Sequence, residues 1–102
     1  MTEPPLTLPP DKWPTTVQAA VNDIIEWLSE DDKQELRKMS KDNLFSLHFG
    51  LGGAIRNRYG LLGRNKELLI AACGSEWLYD ADDASTRLVE AVWAALRERP
   101  GA

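Results

Sequence analysis

Apolar residues recur along this chain at intervals of three and four, the spacing of helices that each bury one face. Val17, Val21, Ile24 and Leu28 form the first stripe, widened by Ala20, Ile25 and Trp27. The spacing predicts a helix that starts near Thr15 or Thr16, where Thr15 and Gln18 fit a capping box. Ser29 caps a short second helix. Its first turn, Glu30-Asp31-Asp32, sets three carboxylates against the positive helix end, and Leu36 and Met39 give it a thin apolar side. From Leu44 the rhythm runs through Leu47, Leu51 and Ile55 to Tyr59. It predicts one continuous helix over 41–58, capped by Ser40 and stopped by Gly60. A break at Gly52-Gly53 is the competing possibility. Asn65 caps a helix through Cys73 that ends at Gly74. Asp80 or Asp82 caps the last helix, where Leu88, Val92 and Ala95 form the main stripe, and which ends near Arg97-Glu98-Arg99.

No strand alternation and no internal repeat interrupts this pattern. The predicted fold is all-α: a compact single-domain bundle of four main helices plus one short helix over 15–99. A Pro-rich arm, 1–14, precedes it and a tail, 100–102, follows. Pro4, Pro5, Pro9, Pro10 and Pro14 favour extended backbone in the arm, with Leu6, Leu8 and Trp13 available to lie on the body.

The length of 102 residues, with 43% hydrophobic and 27% charged residues, is that of one soluble domain. No apolar run approaches a transmembrane span and the N-terminus lacks signal-peptide character, so a cytoplasmic protein is expected, with no membrane partner. Cys73 is the single cysteine and His48 the single histidine. Metal sites built on such residues are therefore not expected, nor is any cofactor. Cys73 reads as a small buried hydrophobe.

Charge is uneven. The net charge is −4, yet residues 43–66 contain no acid and four bases, Arg56, Arg58, Arg64 and Lys66. An acidic chain is a poor ligand for duplex nucleic acid. A basic patch on an acidic body suits a small anion or an acidic partner surface. The same segment, His48 to Leu61, carries Gly50, Gly52 and Gly53 inside its apolar rhythm. Each costs roughly 0.5–1 kcal/mol against alanine in a helix. Close approach by a helix or a ligand would offset that cost.

His48, Gly52 and Arg56 fall on adjacent turns of a continuous helix, with Asn57 on a flank, and arginine offers a bidentate fork to a carboxylate or phosphate. Arg64, Asn65 and Lys66 open the next helix, where free N–H groups also favour an anion. These seven residues are the candidate ligand site. Asn65 reads first as a cap and His48 first as a packed ring. Asp80, Asp82 and Asp83 read as first-turn acids, since their spacing is not that of a calcium loop. Of the four tryptophans, Trp77 is expected exposed, and Trp13, read mainly as packed, is kept with it as an interface candidate.

The pattern H-F-G-L-G-x-x-I-R-N-x-x-G-L at 48–61, followed by Asn65, Leu68, Asp82, Ala84, Ser85, Trp93 and Leu96, resembles a family of small bacterial domains of unknown function. The resemblance covers roughly 13–97. It implies that His48, Gly50, Gly52, Arg56, Asn57, Gly60 and Asn65 are signature residues. Members commonly carry tryptophan where this chain has Leu62. With no acid–base or nucleophile set legible, the expected function is a noncatalytic protein-interaction or regulatory module, of an accessory or immunity type. The alternative is a small-anion or nucleotide-like ligand site at His48, Arg56, Asn57 and Asn65, with an enzyme as its extension. Homo-oligomerisation through the glycine-bearing segment is the third expectation.

Overall fold

A computed structural model describes residues 7–98. The helices are α1 (Val17–Trp27), α2 (Glu30–Lys38), α3 (Leu51–Arg58), α4 (Lys66–Cys73) and α5 (Ala81–Glu98). Two 3-10 segments, Pro10–Lys12 and Lys41–Leu47, complete the set, and no strand occurs among the described residues. Helix α5 is the hub, and α1, α2, α3 and α4 all pack on it. It can serve all four because it buries a broad face: Ala84, Leu88, Val92 and Leu96 on one stripe, Ser85 and Val89 beside it.

Local chemistry sets most boundaries. Thr16 caps α1, its side chain accepting from the Ala19 N–H at 3.1 Å. Thr15 is not the cap, and Gln18 closes no capping box; its amide donates to Asn22 Oδ1 instead. Ser29 Oγ accepts from the Asp32 N–H at 3.1 Å, and Asp80 Oδ1 from the Asp83 N–H at 2.7 Å. Gly60 and Gly74 take positive φ, +65° and +70°, just past α3 and at the end of α4. The arm is less extended than expected, since a 3-10 turn follows Pro9. It lies on the body through the Leu8 N–H, which donates to Arg58 O at 3.1 Å. The arm's first six residues, with Pro4 and Pro5, lie outside the described residues, as do Arg99 and the tail.

The continuous helix over 41–58 does not form. Lys41–Leu47 is 3-10, a turn spans 48–50, and α3 starts only at Leu51. The break also precedes Gly52-Gly53. The physical reason lies in the spacing: Leu44 and Leu47 are three apart, which suits a 3-10 repeat as well as an α-helix. Ser46 Oγ donates to Asn43 O at 2.8 Å, the local bonding by which serine competes with regular helix. Gly53 lies within α3 with only Arg56 Nη2 within reach of an added Cβ, at 3.7 Å. Gly53→Ala should therefore stabilise the protein by about 0.5–1 kcal/mol, read as a raised urea midpoint at unchanged slope.

A polar network ties α1 to the end of α3. Tyr59 is fully buried; its hydroxyl donates to Asp23 Oδ2 and accepts from Trp27 Nε1 at 3.2 Å. Arg58 Nε donates to the same carboxylate oxygen at 2.9 Å. Burial opposes ionisation of Asp23, but the bonds from Arg58 and Tyr59 and the Arg58 charge outweigh it and lower its pKa. Burial, reinforced by Asp23, raises the pKa of the Tyr59 hydroxyl. Because the folded-state Asp23 pKa is depressed, its contribution is present above the unfolded carboxylate value of about 3.9 and is lost as pH falls through the folded one. The stability gap between the wild type and Asp23→Asn should thus be widest near neutral pH and close below about pH 4, as thermal melts across pH would show.

Candidate functional site

The turn at 48–50 and the start of α3 bring a cluster of side chains onto the N-terminal turn of α5. Arg56 Nη1 donates to Ser85 Oγ at 2.8 Å and Nη2 to His48 O at 3.2 Å. Ser85 Oγ, fully buried, donates in turn to Asp82 O at 3.0 Å. The Asp82 carboxylate lies 3.7 Å from His48 Nε2 and 3.9 Å from Arg56 Nε. Gly52 makes this possible. A Cβ there would stand 3.2 Å from Arg56 Nη1, 3.5 Å from Leu47 O and 3.7 Å from Ser85 Oγ. Of Gly50, Gly52 and Gly53, Gly52 is the one that neighbours press on most closely, and they belong to its own chain. Gly50 has open space around it.

The His48 ring packs against two phenylalanines. Phe45 stacks on it at 5.3 Å and 14°, and Phe49 meets it edge-on at 5.1 Å. Its Nδ1 is buried without a hydrogen-bond partner among the described residues, so ring contacts rather than a carbonyl bond position it. Both phenylalanines face solvent, Phe45 at 69% and Phe49 at 87% exposure. Next to Phe45 and His48 opens a cleft of about 670 Å³, lined also by Asp80, Ala81, Asp82, Asp83 and Thr86.

The seven predicted ligand residues do not share one cavity. His48, Gly52 and Arg56 come together as described. Asn57, Arg64 and Lys66 are exposed elsewhere, Arg64 lying over the Trp13 ring at 5.7 Å. Asn65 is buried and committed to structure. Its Oδ1 caps α4 through the Leu68 N–H, and its Nδ2 donates to Tyr59 O at 3.0 Å and Pro14 O at 3.1 Å. Two bases of the run meet carboxylates: Arg56 faces Asp82 and Arg58 is paired with Asp23. Trp13 is half-buried against Gly60, its indole donating to Leu8 O, so its ring serves its own chain. Trp77 is 89% exposed, as expected. Cys73 is half-buried, and burial pushes its thiol pKa up. Sequence reasoning missed Phe45, Phe49 and the place of Asp80 and Asp82 in a cleft. The available signal was the aromatic spacing around His48.

Residues 13–96 match the model of a family described as "Domain of unknown function (DUF6794)". No curated protein and no solved structure matches the chain. No helix among the described residues is long and apolar enough to cross a membrane.

Proposed function

We propose that this chain, which belongs to the family described as Domain of unknown function (DUF6794), is a noncatalytic protein-interaction module. One observation carries the reading: Phe45 and Phe49 are exposed, yet both rings pack against a half-buried histidine. Exposed rings add little to folding stability, whereas rigid aromatic anchors lose little entropy on binding and dominate interface energies. Trp77 and Leu78, also exposed, precede Asp80 by three and two residues in the chain. Two groups with nucleophilic chemistry, Ser85 and Cys73, are otherwise engaged. Ser85 Oγ is held between Arg56 and Asp82 O, and Cys73 has its thiol state favoured.

The test uses a partner co-purified from the native source and then reconstituted from purified components. Phe45→Ser and Phe49→Ser should leave the melting temperature nearly unchanged, since neither ring is buried. Each should weaken the reconstituted complex about tenfold or more, the loss of one interface anchor. A wild-type chain that forms no complex, or a complex indifferent to both changes, would overturn the reading.

A further inference from the structure

We infer that this face receives a basic peptide segment, with a lysine or arginine side chain entering the cleft beside Phe45 and an apolar neighbour covering Phe49. The inference rests on the interaction reading above and names the partner's chemistry. Three carboxylates line the cleft, from Asp80, Asp82 and Asp83, with His48 as the other titratable group. Arg87 neutralises Asp83, its Nε 3.0 Å from Oδ2. Asp82 is 74% exposed, and its nearest cationic atoms, on Arg56 and His48, stand at 3.9 and 3.7 Å. Asp80 makes no ion pair among the described residues; its Oδ1 accepts only the Asp83 N–H that caps α5. Arg56 and Arg87 thus stand against two of the three carboxylates, and Asp80 is the one left without an ion pair among the described residues, on a chain of net charge −4.

That charge also disfavours an anion in this cleft. The positive end of α5 is already served by Asp80, Asp82 and Asp83. A further anion would meet three carboxylates. The aromatic wall selects an organic cation. One face of the Phe45 ring is stacked on His48, and its exposure leaves the other for a cation–π contact. Among the described residues no three His, Cys, Asp or Glu side chains are grouped closely enough to hold a metal ion. The separated carboxylates instead fit a long side chain whose charged head can reach one of them. Phe49, exposed and edge-on to His48, makes an isolated small cation the poorer match, because it would leave that ring uncovered.

The experiment is an amide-resolved NMR titration of the full chain with three probes. They are a capped peptide with two leucines flanking an arginine and a lysine, the same peptide with two glutamates in the centre, and spermidine. The basic peptide should shift residues 45–49 and 80–86, and the shifts should fade as salt rises. Asp80→Asn, which preserves the helix cap, should weaken it about threefold or more, the scale of one exposed charge pair. Phe45→Leu should weaken it as well, with the melting temperature confirming an intact fold in both. Equal binding of the glutamate peptide would overturn the cation requirement while leaving the aromatic docking face standing. Equal binding of spermidine would overturn the peptide assignment. No shift with any probe, alongside a reconstituted complex that depends on Phe45, would overturn this inference and spare the interaction reading. Failure of both would remove the two together.

Discussion

Asn65→Asp should destabilise the protein by about 2–4 kcal/mol, although the two side chains have nearly the same shape. Aspartate keeps the oxygen that caps α4 through the Leu68 N–H. It loses the amide that donates to Tyr59 O and Pro14 O, and sets a carboxylate oxygen against those two carbonyls. A carbonyl withdrawn from water and left without a donor costs about 1–3 kcal/mol. For a domain of this size the melting temperature should fall by roughly 10–25 °C. Asn65→Ala, which loses the cap too, should fall in the same range. Unchanged unfolding of Asn65→Asp would mean that the cap is the residue's whole role and that the turn after α3 is held by other bonds. The same measurement separates a structural asparagine from a ligand-binding one. Residues kept for a ligand are commonly neutral or costly to stability, so replacing one should leave the melting temperature level or raise it.

Gly60→Ala should cost about 2–4 kcal/mol, from two separable sources. The first is the backbone: φ is +65°, where a Cβ is strained by about 1–2 kcal/mol. The second is Trp13. A Cβ on Gly60 would fall 2.2 Å from Trp13 Cζ2 and 2.5 Å from Cη2, distances that force the indole away. The indole does not move freely, since its N–H donates to Leu8 O at 2.9 Å and Arg64 lies over its ring. A double-mutant cycle with Trp13→Ala divides the two sources. In that background the clash is gone and only the backbone strain should remain. Additive losses would show that Trp13 does not press on Gly60 in solution. Both predictions concern the stretch from Tyr59 to Asn65, where the arm, the end of α3 and the start of α4 meet.

Some features of this protein were legible because their physics is local. Ser29 and Asn65 cap helices by accepting from N–H groups three residues on, and Gly60 and Gly74 adopt the left-handed backbone that only glycine enters cheaply. The all-α class followed from the three-to-four residue rhythm. The 41–50 stretch was ambiguous because a step of three serves the 3-10 and α repeats alike, so the position of Leu44 and Leu47 on the core decided it.

The one-dimensional pattern thus determined the helical class, most caps and which faces turn inward, since each depends on neighbours a few residues apart. Only the tertiary structure decided the site. It set Arg58 on Asp23 and Arg56 beside Asp82, so two of the four bases of the run in sequence met carboxylates in space. It also brought Phe45 and His48 to Asp80, more than thirty residues along the chain, so that His48 lines a cleft with carboxylates and an aromatic ring. Charge and burial act through distance in space, and no local spacing encodes which helix ends will meet.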